Sequence, residues 1–144
     1  GATAVWAASV LVQNEEIAEA SPGPLKIDVV GQQFAWSFTY PELGVETGDL
    51  HVPTDRQVVL TLRAQDVIHS FFVVETRIKG DAVPGITNDL VRFTMKPETA
   101  GNTYPVICTE LCGAGHGIMR SRMIVHSPED YEEWETKAKA SVKG

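Results

Sequence analysis

Cysteine is scarce in this chain, with only Cys108 and Cys112 among 144 residues. That excludes the disulfide framework of a small secreted scaffold. Cations are short as well: 12 Lys and Arg stand against 19 Asp and Glu, a net charge of −7. Nucleic acid, whose phosphates demand a surplus of Lys and Arg, is thereby disfavoured as a partner, whereas a basic protein is compatible. Long apolar runs are missing too. Ala2 to Val12 is apolar apart from Thr3 and Ser9, yet its eleven residues fall short of the ~20 that cross a bilayer. The segment lacks the cationic start of a signal peptide, and the chain opens on Gly1 rather than Met, so a trimmed or processed form is expected, with any membrane anchor left out. What is present, 43% apolar and 22% charged residues without low-complexity tracts, is the composition of a folding chain. Its length fits one domain that buries about two-thirds of its unfolded surface.

Ser21-Pro22-Gly23-Pro24 is a strong breaker. It divides a helical or ragged lead-in, residues 1–24, from a compact domain over 25–144. From Leu25 onward strand signals recur: Leu25, Ile27 and Val29 alternate with Lys26 and Asp28, and Phe34, Trp36 and Phe38 alternate with smaller residues. Further runs are Val58 to Arg63, Val67 to Val74, Leu90 to Met95, Tyr104 to Cys108 and Arg122 to Val125, with Pro- and Gly-bearing turns between them. Seven or so short strands predict an all-β fold, an antiparallel sandwich or Greek-key barrel. A short C-terminal helix over 128–140 follows. Ser127 is its N-cap, Pro128 its first residue and Asp130 the acid three residues after the cap, while Tyr131, Trp134 and Ala138 form the stripe that packs on the sandwich.

The chemistry concentrates in Cys108-Thr-Glu110-Leu-Cys112-Gly-Ala-Gly-His116-Gly-Ile-Met119, where two thiols, an imidazole and a thioether fall within twelve residues. Cys and Met are soft donors that favour copper, and His suits either of its oxidation states. The interspersed glycines let the backbone turn tightly enough for the donors to converge. Three other readings carry less weight. A Cys-x3-Cys disulfide leaves His116 and Met119 without purpose, and a structural zinc site has no use for Met119. A mononuclear blue-copper site needs one thiolate, so the second is surplus and points to a second metal ion.

With Asp66-Val-Ile-His69-Ser-Phe and Lys79-Gly-Asp81-Ala-Val-Pro84-Gly85 upstream, that loop resembles the dinuclear CuA domain of cytochrome c oxidase subunit II, in the right order from about Leu25 to Trp134. The resemblance implies a cupredoxin-like fold and two copper ions. Cys108 and Cys112 would bridge both ions, His69 and His116 would cap one each, Met119 would be a weak ligand, and Glu110 would give its backbone carbonyl. It further implies an electron relay in a membrane-bound, respiratory-chain oxidoreductase and translocase, with this domain on the extracytoplasmic side of the cell membrane. Electrons would arrive from cytochrome c, separate or as a fused haem c domain, and pass to the haem of oxidase subunit I, where oxygen is reduced. Two thiolates offset two units of metal charge, so little need rearrange when an electron arrives.

In the same family the Glu110 side chain points to a magnesium site shared with subunit I, and Asp81 is part of the face docking on that subunit. The family's frequent Gln-Trp-x-Trp is replaced by Gln33-Phe34-Ala35-Trp36, so electron entry is expected at Phe34, with Trp36 either beside it or in the core. Glu42, Glu46 and Asp49 are expected to help steer a basic donor. His51 and His126 have no such context and read as ordinary surface or half-buried residues. Alternatives are the CuA domain of a nitrous oxide reductase, which typically has Trp where Glu110 stands, and a copper-carrying module. Quinol oxidases lack the two cysteines. No Cys-x2-Cys-His haem-attachment motif occurs.

Overall fold

The computed structural model describes residues 12–13, 23–109 and 119–143. Eleven strands are found there: β1 (Val12–Gln13), β2 (Leu25–Gln32), β3 (Ala35–Tyr40), β4 (Val45–Thr47), β5 (Leu50–Pro53), β6 (Gln57–Ala64), β7 (His69–Val73), β8 (Lys79–Ala82), β9 (Asn88–Met95), β10 (Thr103–Cys108) and β11 (Arg120–His126). They form two sheets, in the orders β1-β9-β6-β2-β3-β4 and β5-β11-β10-β7-β8. One helix, α1 (Pro128–Lys143), closes the described chain.

Alternation explains the sandwich. Successive side chains of a strand point to opposite faces, and the buried set is Leu25, Ile27 and Val29 on β2, Trp36, Phe38 and Tyr40 on β3, and Phe71 and Val73 on β7. Tyr104, Val106 and Cys108 on β10, with Met123 and Val125 on β11, complete the facing layer. Each such aliphatic or aromatic side chain, fully buried, contributes roughly 1.5–3 kcal/mol. Gly80 on β8 shows how closely the layers meet: a Cβ there would lie 2.6 Å from Val91 Cγ2 and 2.8 Å from Leu62 Cδ1.

The structure departs from the sequence expectation in three respects. The sheets are mixed rather than antiparallel, because β2 pairs with β6 and β5 with β11 in parallel. Short β4, β5 and β8 join the sheets although Pro53 and Gly80 made their segments read as turns or motif. Within the lead-in, Val12–Gln13 is neither helical nor ragged but pairs with the β9 edge at Met95 and Thr94.

Helix α1 starts where its capping chemistry places it. The Asp130 N–H donates to Ser127 Oγ at 3.2 Å and the Tyr131 N–H to the Ser127 carbonyl at 2.9 Å. Tyr131 is buried, and Trp134 and Ala138 pack against the core beside it. Trp134 meets Tyr40, at the end of β3, with 5.0 Å between ring centroids. The helix therefore covers one end of the sandwich and leaves the other, where β3 begins, to the site.

Candidate metal centre

Three adjacent strands end together at that other end. Cys108 pairs with Phe71 across β10 and β7, and the Thr109 N–H still reaches the Ser70 carbonyl at 3.0 Å. Opposed residues share a face, so Cys108 lies on the inner face with Phe71 and, two residues earlier, His69. Ile107 pairs with Arg120 across β10 and β11. One step further in the same register, Met119 falls opposite Cys108. His69 and Met119 are 0% exposed and Cys108 5%. An imidazole, a thiol and a thioether thus gather on the inner side of three neighbouring strand ends.

Glu110, Cys112 and His116 lie outside the described residues. The segment that carries them leaves β10 just after Cys108 and rejoins the described chain at Met119, so both its ends are at this cluster.

His69 is held on several sides. Its Nε2 is 2.9 Å from Asp66 Oδ1. The edge of Trp36 packs on the ring at 5.9 Å between centroids, and a Cβ on Gly31 would stand 3.0 Å from His69 Cδ2. Nδ1 is buried with no hydrogen-bond partner among the described residues. An imidazole that uses one nitrogen on a carboxylate and leaves the other bare inside the protein has the arrangement of a metal-ligating histidine with its outer partner. Asp66 itself is drawn upward by desolvation, but hydrogen bonds from the Gln33 N–H, His69 and the Val67 N–H outweigh this and hold its carboxyl down to about 2. Together with Cys108 and Met119 this donor set is soft and water-poor. It suits copper and does not suit the hard, oxygen-seeking cations.

The remaining candidate residues fall into place around it. Phe34 sits half-buried in the turn before β3, tied to the site because the neighbouring Gln33 N–H donates to Asp66 Oδ2 at 2.7 Å. Trp36 is only 4% exposed and its ring edges meet His69 and Phe71, so it lies behind the imidazole rather than on the surface. Asp81 on β8 is exposed and accepts the Ser70 hydroxyl. With Ser70, Lys79, Gly80 and Thr109 it lines a surface recess, which borders the residue just before Glu110.

Glu42, Glu46 and Asp49 lie elsewhere. They follow Tyr40, four residues along β3 from Trp36, which at about 3.3 Å per residue is roughly 13 Å toward the α1 end. Asp49 is also paired with Arg122 at 2.7 Å. The acids expected to help steer a donor therefore flank the helix end rather than the end with His69, Cys108 and Met119.

His51 and His126 are half-buried, as expected of residues without metal context, but they are bonded to each other. Nδ1 of His51 and Nε2 of His126 are 2.9 Å apart, and Trp134 stacks on His51 at 4.3 Å. Sequence reasoning missed both Asp66 as the partner of His69 and Gly31 as its seat. The signal for Asp66 was its place at the head of the motif that ends His69-Ser-Phe, three residues before His69. For Gly31 there was none.

Comparison with known proteins bears on this geometry. Residues 43–127 match the family of the periplasmic domain of cytochrome c oxidase subunit II. The cytochrome c oxidase subunit 2 of Thermostichus vulcanus is 50% identical over 116 residues, which are 81% of this chain and 34% of that protein. The chain thus spans about a third of the length of such relatives. Among solved structures, the periplasmic domain of subunit II of the Bradyrhizobium japonicum cytochrome oxidase superposes with a TM-score of 0.74 at 24% identity, covering 87% of this chain and 99% of that one. Auracyanin A, a blue copper protein from Chloroflexus aurantiacus, gives a TM-score of 0.50 at 16% identity over 72% of this chain and 100% of its own. At such identities both likenesses speak for the fold alone, a cupredoxin-like sandwich.

Proposed function

This chain belongs to the cytochrome c oxidase subunit II family, and from that premise we propose that it is the electron-receiving domain of such an oxidase, built around a dinuclear copper centre. The observation that carries this is the buried Nδ1 of His69, which has no partner among the described residues, on the inner face with Cys108 and Met119 at the ends of three adjacent strands. His69, Cys108, Cys112, His116 and Met119 would hold the two ions with their side chains, and Glu110 with its carbonyl. Copper held by these residues would supply one-electron transfer. The two thiolates would offset most of the metal charge, so the surrounding dipoles need little rearrangement on reduction. Gly31 and Trp36 pack against the imidazole, which is 0% exposed.

Electrons would come from cytochrome c at the Phe34 turn, with Trp36 as packing behind His69. They would leave toward the haem of oxidase subunit I. The recess of Asp81 and Thr109, next in sequence to Glu110, supports the reading that this face docks on that subunit, where the Glu110 side chain would reach a magnesium ion. The domain would stand on the extracytoplasmic side of the membrane. The name and reach of the family match favour an oxidase over a nitrous oxide reductase. A copper carrier would need donors open to exchange, whereas His69, Cys108 and Met119 are buried.

Titration of copper into the metal-free protein tests the proposal. It should reach its end point at two ions per chain, with strong visible absorption. An end point of one ion, or preference for zinc with no redox change, would overturn it.

A further inference from the structure

Asp66 stands in the segment between β6 and β7 and reaches three groups at once. Its Oδ1 lies 2.9 Å from Nε2 of His69 and accepts the Val67 N–H at 2.7 Å, while Oδ2 accepts the Gln33 N–H at 2.7 Å. Both oxygens are thus already acceptors for backbone donors. An ionised carboxylate has no proton to give, so the proton of the contact with His69 sits on Nε2. The lone pair of the neutral ring is then on Nδ1, the atom that is buried without a partner among the described residues. A ring flip would exchange these two nitrogens. It is opposed by Gly31 on one side and the edge of Trp36 on another.

We propose that Asp66 is the positioning residue of the metal centre: it fixes the tautomer and orientation in which His69 offers Nδ1, and it ties the Gln33–Phe34 turn to that same imidazole. This rests on the reading of His69 as a copper ligand. Its two consequences differ in kind. Toward the metal, an outer-shell carboxylate on a ligating histidine commonly accounts for about 10–100-fold in metal affinity. Toward the surface, one carboxylate spans the ligand and the turn where a donor would touch, so the contact residue and the ligand keep a fixed relation. Asp66 touches neither metal nor donor in this role. It acts through His69 and through the backbone of Gln33.

The test begins on metal-free protein, so that it does not depend on copper. Long-range nitrogen–proton NMR of the His69 ring at about pH 8, where a free imidazole is neutral, should show Nε2–H alone in the native chain and in Asp66→Asn. The side-chain oxygen of Asn still accepts from Nε2–H, but its amide cannot accept from Gln33. In Asp66→Ala both tautomers should appear. With copper added, Asp66→Ala should bind about 10–100-fold more weakly with a shifted absorption band, while Asp66→Asn stays close to the native protein in both. In both variants the Phe34 amide signals should broaden or shift. A single Nε2–H tautomer in Asp66→Ala, or unchanged affinity and absorption there, would overturn the positioning role. If instead the tautomer follows Asp66 as described while the native chain takes up one copper or none, the copper reading falls and the positioning of His69 stands.

Discussion

A methyl group added at Gly31 would stand 3.0 Å from both Cδ2 of His69 and Cζ3 of Trp36, neither of which can retreat into open space. Gly31→Ala should therefore cost about 1–3 kcal/mol, as overpacking does, and displace the imidazole. A thermal melt and the absorption spectrum of the copper-loaded protein check this, and two native-like results would refute it. The donors themselves differ in weight. Cys108→Ser removes a buried sulfur donor and should abolish the centre. Met119→Leu, of nearly equal volume, should keep two coppers and move the reduction potential; equal copper loss in the two variants would contradict this ranking. Phe34 and Trp36 also separate. Phe34→Ala should slow reduction by the native donor in stopped flow with little change in melting. Trp36→Ala, at 4% exposure, should lower stability by roughly 3–5 kcal/mol. At this scale the sequence was informative where the chemistry resides in the residue type. Cys108 and Met119 stood out because thiols and a thioether beside an imidazole have few other uses, whereas His69 was reached only through the resemblance of its motif to the family. Gly31 and Asp66 act by where they stand, and their positions depend on strand registers that link residues 31 to 69.

Helix α1 and strands β5 and β11 meet in one cluster, and its pH response follows from burial. Burial disfavours the charged form of both rings, and for His51 the proximity of His126 adds to this, bringing His51 down to about 4 and His126 below its ordinary value. Asp49 and Asp130 pull in the other direction and Arg122 with the shift. A base whose value is lower folded than unfolded leaves the unfolded chain holding more protons. Stability from this cluster is therefore full above about pH 6.5 and falls as the pH drops toward about 4. With the rings partly open to solvent, the loss should be about 1–2 kcal/mol. Melts across that range should show a shallower decline in His51→Gln than in the native chain, and parallel declines would contradict the assignment. The helix itself was legible because capping and the Tyr131, Trp134, Ala138 stripe are local. Strand β5 was not, since Leu50-His51-Val52-Pro53 has little alternation of its own and gains its place only by pairing in parallel with β11.

Taken whole, the molecule places the His69, Cys108 and Met119 cluster and its helix at opposite ends of β3, and this changes what its charge can do. A net charge of −7 should make association with a basic donor weaken as salt rises. Glu42→Gln with Glu46→Gln, at the helix end, should leave the association rate close to native in stopped flow at low salt. A severalfold drop would return those acids to the donor's path. Fold class was readable from the spacing of strands and turns, and family from three separated motifs whose order no local argument explains. The mixed sheets were not, because parallel pairing depends on connections between distant segments. The central claim is that two thiolates serve two metals as one electron-sharing unit. Electron paramagnetic resonance of the copper-loaded, one-electron-oxidised protein tests it most directly: the signal should show hyperfine splitting from two equivalent copper nuclei. Splitting from a single copper nucleus would contradict the account.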